Sequence, residues 1–142
     1  MHTGLLLAVI IAFSAVEVNQ KQASSSQPTK TLVELWCGGD DSLTRGVCYA
    51  ADKAFEASAD FAFSDEEAKP QLVVRIPTNV DWKEKNQRTR VFYVVEFTSA
   101  DDKKFSKRKG TCWDDDFSVC ANQILAEARI VRRKLLPKSP SR

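Results

Sequence analysis

Histidine is almost missing from this sequence: the single one is His2, inside an apolar leader. Past that leader no imidazole is available for Ser-His-Asp or Cys-His catalysis, and most zinc site types go with it. Closely spaced cysteine pairs are lacking too. Cys37, Cys48, Cys112 and Cys120 are separated by eleven, sixty-four and eight positions. That is neither zinc-knuckle nor thioredoxin-type spacing. Glycine is scarce at five residues, and there is no Gly-rich phosphate loop, GxSxG elbow or GxGxxG turn. No apolar run reaches the ~20 residues that span a bilayer.

What is present is ordinary for one domain. The 142 residues are 43% apolar and 28% charged, enough for one core and too few for two of ordinary size. A net charge of +2 does not mark a nucleic-acid binder, but its distribution is uneven. Thr31 to Asp102 holds fourteen acids against eight bases, whereas Lys103 to Arg142 holds eleven bases against four acids. Such polarity suits an acidic partner, although a solvated face also accounts for it.

The apolar run Leu5 to Phe13 is followed by Ser14, so that Ala12 and Ser14 place small residues at −3 and −1 of a cleavage position. Residues 1–14 are therefore expected to be a secretory signal, despite an n-region with no Lys or Arg. The Gln/Ser-rich stretch at 15–30 is expected to be a disordered polar linker. A domain at 31–134 and a basic tail at 135–142, beginning before Pro137, complete the organisation. In an exported chain an even cysteine count implies a disulfide framework. Local clips, Cys37 with Cys48 and Cys112 with Cys120, are favoured, because each joins a strand end to the helix that follows. Cys37 with Cys112 and Cys48 with Cys120 is the alternative.

Residues 31–37, TLVELWC, form a β-rich stretch that Gly38-Gly39 ends. Asp40 or Asp41 can cap a helix over 42–57, with Leu43, Val47, Ala51, Ala54 and Phe55 on one face. Gly46 weakens that helix by ~1 kcal/mol relative to alanine, which suggests that another element comes close there. Phe61 to Phe63 is a candidate edge strand. Leu72 to Trp82 and Val91 to Thr98 alternate with period two and pair through KEKNQR; Pro77 makes the first an edge strand or one bulged at that point. A strand over 105–113 follows. The last helix is expected to start at Asp114 to Asp116, with Phe117, Cys120, Ala121, Ile124, Ala128 and Val131 at helical spacing. The predicted order is β-α-(β)-β-β-β-α. It describes an α+β domain with an antiparallel sheet of three to five strands and two helices packed on one face.

Few residues invite chemistry. The Asp114-Asp115-Asp116 run lacks the alternating ligands, central glycine and distal Glu of an EF-hand, and is read as a helix start. A carboxylate- or calcium-dependent enzyme is thus an alternative with little support, and no catalytic, cofactor or metal residue is assigned. Trp82, among Lys83, Lys85, Arg88 and Arg90, has the composition of a partner-binding hot spot. The Arg129–Lys134 run on the last helix is a second basic surface. No nucleic-acid motif accompanies them. The element order looks broadly like that of small accessory domains of bacterial cell envelopes, whose sheets serve protein contacts. The expected function is an exported, non-enzymatic domain, secreted or periplasmic, that binds another protein. The alternative is a secreted hydrolase inhibitor using the 78–90 hairpin. No cofactor is expected, and no membrane span after signal cleavage.

Protein from its native host should therefore have lost about fourteen residues. Intact mass with and without reduction should show all four cysteines unreactive to alkylation until reduced; an uncut chain with four free thiols would reopen metal and redox roles.

Overall fold

The computed structural model describes residues 29–137. The expected signal segment, all but two residues of the expected linker and positions 138–142 of the expected tail lie outside the described residues. The elements in order are β1 (Thr31–Cys37), α1 (Ser42–Glu56), β2 (Phe61–Phe63), β3 (Leu72–Ile76), β4 (Asp81–Lys85), β5 (Arg88–Thr98), β6 (Lys104–Trp113) and α2 (Ser118–Leu135).

The chain is α+β, but its sheet is mixed and has six strands, which corrects the expected antiparallel sheet of three to five. The physical reason lies in the first connections. Helix α1 carries the chain back across the sheet, so β2 lies beside β1 and parallel to it. The 64–71 segment makes a second return, and β3 runs parallel along the other edge of β1. Only from β3 onward are the pairings antiparallel.

The expected strand 72–82 is divided. Six positions separate Arg75 from Asp81, while their partners on β5, Glu96 and Phe92, are four apart. The two additional residues bulge out around Pro77, which has no N–H to donate. Because β6 pairs with β5 from Arg90 to Thr98, β3 and β4 share the opposite edge of β5, end to end. The bulge is tied to the start of α1. Val80 N–H donates to Thr44 Oγ1 at 2.9 Å, and Asp40 N–H donates to Asn79 Oδ1 at 2.9 Å. Asp41 caps α1, its carboxylate accepting from Thr44 N–H at 2.9 Å.

The core lies between the two helices and one sheet face. Val33, Leu72, Val74, Ile76, Val91, Val95 and Phe97 come from the sheet, Val47, Ala51 and Phe55 from α1, and Ile124, Ala128 and Val131 from α2. Each fully buried large side chain among them contributes ~1.5–3 kcal/mol. Gly46 has the reason its place in α1 suggested. A Cβ there would lie 2.3 Å from the Phe117 ring, so glycine lets the residue leading into α2 pack flat on α1. Cys37 is bonded to Cys48 and Cys112 to Cys120, with Cα separations of 6.4 and 5.4 Å. Each bond clips a strand end to the following helix and contributes ~2–4 kcal/mol, mostly through the unfolded chain.

Strands β4 and β5 join through Asn86-Gln87, both left-handed with φ of 53° and 62°. A two-residue turn of this kind matches the twist of an antiparallel pair and favours Asn-Gly. Glutamine in that region carries ~1–2 kcal/mol of Cβ crowding. Gln87→Gly should therefore stabilise the domain by about 1 kcal/mol, part of the relief being offset by the entropy of glycine in the unfolded chain. Urea midpoints measured with the disulfides intact check this, and a midpoint that stays put or falls would show the turn to be unstrained.

Candidate functional site

Alternation along β5 sorts the sheet into two faces. Val91, Tyr93, Val95 and Phe97 are buried toward the helices. Arg90, Phe92, Val94 and Glu96 point the other way, together with residues directly opposite them on β4 and β6. Both helices contribute to the core on the first face. The second face is closed at one end only. Val73 and Thr98 are paired and buried there, near where Lys69 and Asp101 join the 64–71 segment to the 99–103 turn at 2.6 Å.

The hairpin half of this second face is cationic. Lys83 stands directly opposite Arg90, and Lys85 directly opposite Arg88. Across β5, Arg90 is opposite Trp113 and Val94 opposite Lys109. The Arg88 guanidinium lies 4.5 Å from the centroid of the Trp113 ring, and Arg90 lies 5.8 Å from Trp113 and 5.5 Å from Phe92. The Nε–H of Arg90 donates to Thr111 Oγ1 at 3.1 Å. Arg88 is also paired with Asp115, at 3.1 Å from Nε and 2.9 Å from the second nitrogen. This pair holds the Asp115 carboxyl below its ordinary range. Lys83, Lys85, Arg90 and Lys109 form no ion pair among the described residues. An open groove of about 580 Å³ crosses the face where β3 and β4 part, lined by Asp81, Lys83, Phe92, Val94 and Lys109.

Lys83, Lys85, Arg88 and Arg90, singled out in the sequence, thus lie together. Trp82 borders the same groove but alternates to the other side of β4. It is opposite Val91, on the helix side of the hairpin, and is 58% exposed beside the start of α1. Strand alternation alone puts Trp82 on the other side from Lys83, a signal present in the sequence. Trp113 adjoins Cys112 in the sequence. That cysteine is buried in the strand, so Trp113 emerges on the cationic face. Trp36 likewise reaches that face, opposite Arg75 and 46% exposed.

The three aspartates have separate structural tasks. Asp114 Oδ1 accepts from Thr89 N–H at 3.2 Å, Asp115 takes Arg88, and Asp116 accepts from Ser118 N–H at 3.1 Å and from its hydroxyl. Helix α2 begins only at Ser118 and has no side-chain cap, so the run is a turn before the helix and not its first residues. The chain needs those positions to leave the end of β6, where Asp116 N–H bonds back to Trp113 at 3.1 Å. Among the described residues no three His, Cys, Asp or Glu side chains are grouped to hold a metal ion. The basic end of α2 is partly spent inside the domain. Arg129 and Arg132 reach Asp60 at 2.8 and 3.5 Å, and Arg132 also donates to Thr31 Oγ1 at 3.1 Å.

Polar contacts fasten α2 under the same strands. Tyr93, opposite Gly110, has its hydroxyl so close to that residue that a Cβ there would clash with it, and donates to Gln123 Oε1 at 3.0 Å. Burial pushes the Tyr93 phenol up to about 12, so its contribution to stability is complete below pH ~10 and is lost as pH rises toward the folded value. Glu127 accepts from Ser106 Oγ at 2.8 Å and Arg108 at 3.0 Å. Comparison with protein families, with curated proteins and with solved structures finds no match.

Burial alone would raise the Glu127 carboxyl, but the bonds from Ser106 and Arg108 prevail and hold it below its ordinary value. A depressed folded value stabilises above the unfolded value, near pH 4.3, and the gain is lost as pH falls through the folded one. Glu127→Gln should cost about 1 kcal/mol at pH 7 and converge on the parent as pH falls below the folded value. Urea titrations at several pH values check it; a constant gap would assign the loss to packing.

Proposed function

We propose that this chain is an exported, non-catalytic domain that binds another protein through the hairpin half of its uncovered sheet face. The observation that carries the reading is the Arg88–Trp113–Arg90–Phe92 stack, a surface of guanidinium and aromatic groups left open by both helices. Arginine and tryptophan are among the residues most enriched where binding energy concentrates, because each offers a large flat contact area, and here the arginines are already held against the rings. The fold supplies rigidity beneath them, since β5 is paired along both edges. Two disulfides are compatible with an oxidising compartment outside the cytosol. No described helix is long and apolar enough to cross a membrane.

A second reading, insertion of the hairpin into the cleft of a hydrolase, is favoured by the exposure of all five residues of β4. It shares the surface and differs in the identity of the partner.

A photo-reactive phenylalanine at position 83 or 109 should yield one discrete protein adduct in the native host. The same group at Tyr49 or Val119, exposed on the helices, should not. Arg90→Glu should remove the adduct. Equal adducts from both sides of the domain would overturn the reading; a hydrolase inhibited on capture would select the second.

A further inference from the structure

We infer that the partner segment recognised by this face is an extended acidic strand whose alternate residues are, in order, two acids, one apolar residue and a further acid. The inference rests on the binding role proposed above and names its chemistry.

The first observation is the placement of like charges. Lys83 opposite Arg90 and Lys85 opposite Arg88 are direct cross-strand pairs, and like charges so placed repel. Asp115 answers Arg88, but no described acid pairs with Lys83, Lys85 or Arg90. A merely solvated basic face has no need to stack its cations in opposed pairs. A carboxylate lying over Lys83 and Arg90 relieves their repulsion, and one over the next row meets Lys85, whose neighbour Arg88 already has Asp115.

The second observation is the repeat. Same-face residues in a strand are two positions apart, about 6.8 Å. The pairs at 85/88 and 83/90 therefore recur with the spacing of alternate side chains in another extended chain. Such a chain laid on a sheet face runs within ~30° of its strands. The next row holds Asp81 and Phe92, and the one after it Val94 and Lys109. Asp81 rejects a third carboxylate while Phe92 offers an apolar floor. Lys109 is a cation again. Read along the face, the complementary strand carries acid, acid, apolar and acid at alternate positions.

Fluorescence anisotropy at low salt tests this with two nine-residue peptides of one composition. The first has Glu at positions 1, 3 and 7, Leu at 5 and Ser elsewhere; the second has its three Glu adjacent. The first should bind saturably and at least tenfold tighter. Lys83→Glu and, separately, Arg90→Glu should each weaken it at least tenfold. Arg133→Glu with Lys134→Glu, two exposed cations at the end of α2, should leave it unchanged. Circular dichroism confirms that each variant is folded, and the Lys83 change, on a fully exposed strand, stands alone if the Arg90 variant is not. Equal binding of the two peptides would overturn the inference by reducing the face to net charge. So would an absence of saturable binding, even with a cross-linked protein partner in hand, and the binding role would then survive alone. Tighter binding of a heparin oligosaccharide or a single-stranded oligonucleotide of matched charge would overturn both.

Discussion

Strand β5 is the constraint on which the rest of the structure depends. Its eleven residues are bonded to β6 on one edge and to β3 and then β4 on the other. Paired along both edges, it cannot slip without moving every one of its side chains to the wrong face. Its inward residues, Val91, Tyr93, Val95 and Phe97, are the floor on which the helices settle. Its outward ones, Arg90 and Phe92, are the middle of the cationic face. Core and candidate site are thus two sides of one strand, and a substitution that shifts its register changes both.

Two corners hold the helices to that strand. At the first, the Cys37–Cys48 bond, the Asp41 cap and the Asn79 and Val80 contacts converge on the start of α1. The bulge that parts β3 from β4 is anchored there, and so is the groove across the face. At the second, the Cys112–Cys120 bond joins β6 to α2, while the aspartate turn between them ties back to Thr89 and Arg88. Each corner uses a covalent bond beside its polar ties. A domain of this size gains proportionally more from such bonds than a large one does.

The face itself balances two electrostatic demands. Cations on exposed strands discourage pairing with other copies of the chain, and β6, an edge strand with Lys107, Arg108 and Lys109, has that protection. Lys107 and Arg108 are nonetheless matched to Glu96 and Glu127 at 3.0 Å each. Around Lys83, Lys85 and Arg90 such matching is missing among the described residues, and the guanidinium groups rest on aromatic rings instead. Cation–π contact of this kind keeps a charge oriented without neutralising it.

By itself the sequence determined the elements and their local signals. The helical spacing in α1 and α2, the period-two runs of β3 and β5, a cap at Asp40 or Asp41, the irregularity at Pro77 and the close approach at Gly46 are all written in stretches a few residues long. So is the clustering of Lys83, Lys85, Arg88 and Arg90. What the tertiary structure decided was everything that depends on which strand lies beside which. The parallel pairing of β1 with β2 and β3 made the sheet mixed, because the direction of a connection across a sheet is set by packing and leaves no local mark. The aspartate run became a turn and not a helix start, because its carboxylates found donors on β5, twenty-five or more residues earlier in the chain. Trp113 joined the arginines only through the pairing of β6 with β5. Short-range preferences are encoded in neighbouring residues, whereas the meeting of distant ones is settled by the one arrangement that buries the core and pairs the backbone.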